Sequence, residues 1–380
     1  MTRPVVPLYA VELGAGSMEV GMLASIYSFL PLLLAVRAGK LVDRTGDRLP
    51  LFLGLCCFLL GMTAPSLAAA LWALMFSQVI VGMSNLFGNL TLQNTLGRVS
   101  TPQNRDHLFG IYSVVVSFSN FLGPVAGGYI SQHMGYPAVF MTAGVLGIGL
   151  VAMMPFLPGG KPAAVRKEPA ETGSVAGSLA LLRSSPLRAA LISSGLVVYS
   201  RDIFVAYFPL YGQHIGLSDS AIGWIIAIQG LAMMPIRLYL SRLVRWMGRE
   251  RLLIATILLA GATFVLIPAF GQVSVLMALS TLMGFGLGCG QPLSMSTIYT
   301  VSPKNRTGEV LGLRLATNRL FQLAVPFLFG LLGKWVGIAS VFYGSGLLLF
   351  GGAYLSRTGP QENRPEENRP DDKAEPQKEI

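Results

Sequence analysis

Gly39-Lys40-Leu41-Val42-Asp43-Arg44-Thr45-Gly46-Asp47-Arg48 stands between two apolar runs, residues 18–36 and 50–67. Its charges crowd into one short segment, while each flanking run is about as long as a hydrocarbon core is thick. The segment therefore reads as a tight connection between two membrane-crossing helices. Working outward, the same alternation recurs near 69–95, 107–130 and 134–157, then near 188–212, 219–240, 251–270, 273–300, 308–332 and 337–356. Before residue 18, Pro4 to Leu13 is apolar but too short to span, so eleven full helices and a fragment are expected.

Composition agrees with an all-α membrane protein. Of 380 residues 52% are apolar and 12% charged, with a mean hydropathy of +0.59, whereas a soluble domain carries about 25% charged residues. The net charge of +10 would suggest nucleic acid in a soluble chain, but in a membrane protein its distribution between loops matters more. Cys56, Cys57 and Cys289 lie inside apolar runs and match neither a disulfide framework nor a metal spacing. No small-residue cleavage site follows a basic start, which argues against a signal peptide.

Assigning alternate loops to alternate sides gathers Arg37, Lys40, Arg44, Arg48, Arg98, Arg105, Arg242, Arg245, Arg249, Arg251, Lys304 and Arg306 together and leaves Lys334 almost alone opposite. The crowded side is expected to be the cytoplasm, with the C-terminus there and the chain in an inner (cytoplasmic) membrane. The expected organisation is a first half at 1–157, a cytoplasmic linker at 158–186, a second half at 187–357 and a charged, Pro-rich, disordered tail at 358–380.

The halves repeat at an offset of 202 residues, which aligns Pro7-Leu8-Tyr9 with Pro209-Leu210-Tyr211. Gly14, Gly21, Gly46 and Gly82 fall on Gly216, Gly223, Gly248 and Gly284; Gly110, Pro124, Gly128 and Gly135 fall on Gly312, Pro326, Gly330 and Gly337. Glycine and proline mark backbone requirements, so their shared register carries more weight than matched Leu or Val. Parallel repeats of this kind build one large class of secondary transporter. The register sets Met1 against Ile203, so the first helix lacks what Leu187 to Asp202 supply; a truncated first helix, and a frame extending upstream by about 15 residues, are expected.

The segment Gly39, Asp43, Arg44, Gly46, Arg48 resembles motif A of the major facilitator superfamily, and Gly123, Pro124, Gly127 and Gly128 resemble the core of motif C, which that family associates with antiporters. With the repeat, the resemblance covers nearly the whole chain. It implies the superfamily's fold of two six-helix parallel repeats, here with the first helix truncated. Departures exist: Phe118 and Ser119 stand where motif C carries an earlier Gly, Gln78 replaces the Arg expected four residues before Gly82, and Arg245 stands opposite Asp43 in the second half. Motif A can act as a gate, with Asp43 meeting Arg44, Arg48 or helix N–H groups in one conformation only, or as a hairpin with solvated charges. The Gly-Pro segment permits a kink and close packing, with or without a specific antiport role.

Gln78, Gly82, Asn85, Asn89 and Gln93 share one helix face, and a polar stripe is expected against other helices or a water-filled cavity. Arg314, Asn318 and Gln322 repeat every fourth residue with Arg319 beside them, and Gln322 aligns with Asn120. A charge at the bilayer centre costs roughly 3 kcal/mol or more, so the two arginines demand a reason. Arg201 and Asp202 lie midway along their span, with Gln229 and Arg237 of the next helix as candidate partners; His133 and His214, near helix ends, read as structural.

The expected function is alternating-access transport of a small organic solute, by proton-coupled efflux. Uptake of an organic anion is the alternative within transport, and a non-transporting receptor-like or decayed membrane protein the alternative outside it. The expected cavity residues are Gln78, Asn85, Asn89, Asn120, Gln229, Arg314, Asn318 and Gln322; the expected coupling residues are Arg201, Asp202, Arg237 and Arg319. No nucleophile constellation, metal cluster or phosphate loop is evident, so neither an enzyme nor a cofactor is expected; Lys40 lacks the upstream glycine spacing of a P-loop. Expected partners are the solute, protons and lipid, with the protein a monomer and no nucleic acid.

Overall fold

The computed structural model describes residues 1–99, 105–156, 185–294 and 307–355. The first half comprises α1 (Thr2–Glu12), α2 (Ser17–Thr45), α3 (Arg48–Leu67), α4 (Leu71–Val99), α5 (Arg105–Met134) and α6 (Tyr136–Met153). The second comprises α7 (Ser185–His214), α8 (Asp219–Leu238), the short α9 (Leu240–Met247), α10 (Arg249–Leu266), α11 (Val273–Gly288), α12 (Thr307–Val336) and α13 (Ala339–Leu355). Among the described residues ten helices are long and apolar enough to cross a membrane, and α13 is a shorter apolar one. Helix is the form these segments must take in lipid, because it satisfies every backbone N–H and C=O within the segment. Outward faces carry exposed Leu33, Leu67, Val145 and Leu347, as a lipid-facing surface requires. The four tryptophans, Trp72, Trp224, Trp246 and Trp335, are all exposed and lie within two turns of a helix end, where an aromatic belt belongs.

The repeat is visible in the backbone. The six glycines with positive φ among the described residues form three pairs at the 202-residue offset: Gly14 and Gly216, Gly46 and Gly248, Gly135 and Gly337. Tyr9 packs on Phe140 with ring centroids 6.0 Å apart, and their counterparts Tyr211 and Phe342 at 5.3 Å. Within each half a glycine presses on a backbone carbonyl at the same repeat position: Gly82 of α4 on Tyr27 of α2, Gly284 of α11 on Gln229 of α8.

Two further pairs of glycines join the halves. A Cβ on Gly330 of α12 would lie 3.2 Å from Gly21 Cα of α2, and a Cβ on Gly223 of α8 would lie 3.2 Å from Gly128 Cα of α5. Such approaches suit a bilayer, where packing and not the hydrophobic effect holds helices together. Both contacts lie at one end of the bundle, since Gly21 is 24 residues, or about 36 Å of helix, from Thr45 at the other end of α2. At the same end Tyr207 Oη donates to Pro326 O (2.7 Å), Gln213 Nε2 to Tyr136 Oη (3.0 Å) and Ser220 N–H to Gln132 Oε1 (3.1 Å).

One sequence expectation changes. The charged segment after α2 is not a loop throughout: α2 continues to Thr45, and the turn is made by Gly46 and Asp47 alone. Nothing between Arg37 and Thr45 forbids helix, whereas Gly46 sits at φ 76°, ψ −169°, which a side chain would strain. Asp47, passed over in the sequence, is only 1% exposed and accepts from Asn94 Nδ2 (2.7 Å) and Thr95 Oγ1 (3.0 Å), clamping the turn to the end of α4. The Asp43 and Arg44 side chains lie outside the described residues, as do the tail and the linker apart from Ser185 and Pro186, which begin α7.

Gly82→Val places a side chain on the Tyr27 carbonyl, and overpacking of this kind is expected to destabilise by about 2 kcal/mol. Gly88→Val, where nothing lies within 4 Å of the added Cβ, is the matched control. A lowered thermal midpoint for Gly82→Val alone is expected in detergent-purified protein, and equal midpoints would show that this contact does not hold α2 to α4. Asp47→Ala strands two donors and is expected to lose about 2 kcal/mol as well, read as a lower midpoint in the same assay.

Candidate functional site

Asp202 lies midway along α7 and is held from both halves. Arg3 Nη1 of α1 donates to its Oδ1 at 3.2 Å, and Gln322 Nε2 of α12 donates to its Oδ2 at 2.7 Å. The chain of contacts continues on each side. Arg319 Nη1 donates to Gln322 Oε1 at 3.0 Å, and the Arg3 guanidinium lies 4.4 Å from the centre of the Tyr27 ring, a cation–π contact. A half-buried carboxylate is tolerable here because each oxygen has a donor and one donor is a cation.

Two open cavities flank Arg3 and Val205. One is bordered by Arg3, Tyr27, Gln78 and Asp202; the other, the larger of the two, by Arg3, Ser119, Asn120, Arg201 and Gln229. Their walls come from α1, α2 and α4 or α5 of the first half and α7 and α8 of the second, so both lie between the halves.

The remaining expected residues are dispersed around this centre. Gln78 reaches the first cavity, but farther along α4 Asn85 is exposed and Asn89 Nδ2 bonds back to Asn85 O at 2.8 Å; the side chain of Gln93 lies outside the described residues. Arg314 donates to Gln291 Oε1, Gln291 Nε2 in turn to Ser194 O at 3.2 Å, and Asn318 is buried nearby on the same helix. In motif C, Gly123 and Gly127 face Met1, whereas Gly128 and the Pro124 carbonyl face α8. Of motif A, Gly39 has open space around it, Gly46 makes the turn, and Arg48 opens α3. His133 Nδ1 donates to Tyr129 O at 2.9 Å within its own helix.

Two expectations about Asp202 fail. Gln229 and Arg237 are not its partners: Gln229 Nε2 donates to Met283 Sδ at 3.0 Å and Arg237 Nη1 to Ser117 Oγ at 3.5 Å, while α12 and α1 reach Asp202 instead. Arg3 was passed over because it stands in a fragment too short to span. The repeat register carried the missing signal: Arg3 aligns with Val205, one turn beyond Asp202, and so sits at mid-membrane depth.

The family model described as Major Facilitator Superfamily matches residues 1–271 and 191–379. The multidrug resistance protein MdtG of Salmonella arizonae is 31% identical over 372 residues, covering 93% of this chain and 90% of that protein. An uncharacterized MFS-type transporter of Methanocaldococcus jannaschii is 19% identical, covering 89% and 88%. Among solved structures, a POT family transporter in complex with 5-aminolevulinic acid superposes with a TM-score of 0.76 at 18% identity, over 93% of this chain and 91% of that one. The nucleoside transporter NupG superposes at 0.73 with 13% identity, over 93% and 94%. At such identities the superpositions speak for the fold alone. The family match and the MdtG relatives carry the rest: this chain belongs to the Major Facilitator Superfamily, and is a multi-pass membrane transporter of small molecules, not an enzyme.

Proposed function

We propose that the protein is a proton-coupled exporter of a small organic solute, working as a monomer in the cytoplasmic membrane. The observation that carries this reading is Asp202, an acid at mid-membrane depth gripped by α1 and α12 at the wall of the first cavity. The relatives named as multidrug resistance proteins support export over uptake.

With the arginine-rich loops and the C-terminus in the cytoplasm, the glycine seam closes the outer end and the cavities belong to an inward-facing state. The halves must part at Gly21/Gly330 and Gly128/Gly223 for the site to open outward, and motif C, through Pro124 and Gly128, forms part of that seam. The motif A turn, clamped by Asp47, would act at the opposite end, with Asp43, Arg44 and Arg48 exchanging contacts as that end closes.

Coupling follows from the geometry of one ion pair. Arg3 sits on the first half and Asp202 on the second, so a rocking motion that separates them deprives the carboxylate of its cation. In low dielectric a carboxylate so deprived takes up a proton, and releases it when the guanidinium returns. Gln322 and Arg319 follow Asp202 as part of the same half, while Arg201 and Arg237 set the surrounding positive field.

Inverted vesicles with an acidic interior test this. A panel of drugs and metabolites should include a compound accumulated in a gradient-dependent way, and Asp202→Asn should abolish net proton-driven flux while leaving solute exchange largely intact. A well-expressed Asn variant with unchanged pH dependence would remove Asp202 from coupling. Accumulation in right-side-out vesicles only would reverse the direction. Independently, cysteines placed in residues 361–380 should react with an impermeant maleimide in inverted vesicles but not in intact cells.

A further inference from the structure

Positive charge exceeds negative deep in this protein. Arg3, Arg201, Arg237, Arg314 and Arg319 all lie on membrane-crossing or cavity-lining helices, and Asp202 is the acid beside Arg3, Arg201 and Arg319 among the described residues. Four of the five arginines have a protein acceptor or ring: Arg3 has Asp202 and Tyr27, Arg237 has Ser117, Arg314 has Gln291 and Arg319 has Gln322. Arg201 has no hydrogen-bond or ion-pair partner among the described residues, and lines the larger cavity.

The same cavity offers one other polar side chain without a hydrogen bond among the described residues. Ser119 Oγ donates to Val115 O at 2.9 Å, and Gln229 Nε2 gives one of its two N–H groups to Met283 Sδ at 3.0 Å. Asn120 lines the wall with its amide unpartnered among the described residues. The rest of the wall is apolar, with Pro124, Val205 and Ile226. Asp202, the acid next to Arg201, is already engaged by Arg3 and Gln322, so a ligand that brings a second negative charge to the Arg201 guanidinium gains energy on binding.

We infer that the transported solute is an organic monoanion with an apolar body, its carboxylate taken by Arg201 and Asn120 and its body lying against Pro124, Val205 and Ile226. The planar fork of a guanidinium matches two carboxylate oxygens, and a single free guanidinium matches a single charge. Arg3 borders the site but is engaged by Asp202. A solute anion beside it therefore competes with Asp202 for Arg3, which would link binding to the proton step. This inference rests on the transport reading but needs neither proton coupling nor a direction.

The test is equilibrium dialysis of detergent-purified full-length protein against radiolabelled 1-naphthoate and, separately, its neutral amide 1-naphthamide, without any membrane gradient. The acid is expected to bind about tenfold more tightly than the amide, and Arg201→Gln to remove that preference by weakening the acid alone. Arg201→Lys and Asn120→Ala should each weaken the acid by a few-fold and leave the amide unchanged, and these milder variants serve if Arg201→Gln does not yield monodisperse protein. Equal binding of acid and amide, binding of neither, or a folded Arg201→Gln that keeps the preference would overturn the inference. Gradient-driven export together with any of those results would sink the anion site and leave the exporter standing; a preference for the acid without gradient-driven export would do the reverse.

Discussion

The structure depends on close backbone approach at one end of two helix pairs. In lipid an apolar side chain gains little by turning inward, so halves that are apolar outside and largely apolar inside have no strong drive to associate. What holds α2 to α12 and α5 to α8 is the absence of side chains at Gly21, Gly330, Gly128 and Gly223, which lets main chains touch. Contact concentrated at one end leaves room nearer the middle, and the two cavities occupy that room. A seam made of van der Waals contact and a few hydrogen bonds, such as Gln213 to Tyr136, can also be opened without exposing a buried apolar core to water.

The polar centre sits where that seam ends. Asp202 could be satisfied wholly within its own half, by Gln322 and Arg319, yet it also engages Arg3 from the other half. An ion pair across a moving boundary is unlike one within a rigid unit, because its strength depends on conformation, and conformation in turn on its strength. Arg201, without a hydrogen-bond or ion-pair partner among the described residues, places a second, differently directed demand for negative charge beside the first.

Much of this was legible in the chain. Membrane helices, their order and the doubling of the fold could be read because lipid imposes a length and a composition on each span, and because glycine and proline recur at one offset for backbone reasons. The depth of Asp202 and of Arg201 followed from their place in a span. Less legible were the side chains' partners. Gln229 and Arg237 stood on the neighbouring helix and looked within reach, but helix rotation turned them to Met283 and Ser117. Arg3 was obscured by the shortness of its helix, and Asp47 by a segment whose helical extent from Arg37 to Thr45 the charges disguised.

The sequence by itself determined what every residue must satisfy alone or with its near neighbours: helix against lipid, glycine at each positive-φ turn, aromatic rings at helix ends, and a pattern of charge along the chain. These are local constraints, and local order is what a linear chain displays. Only the tertiary structure decided which arginine meets Asp202, which arginine is left unpartnered, and at which end the halves touch. Those outcomes depend on helix rotation and on contacts between residues some 200 positions apart, such as Arg3 with Asp202. At that separation sequence spacing carries no orientation, and the pairing is set by how whole helices pack.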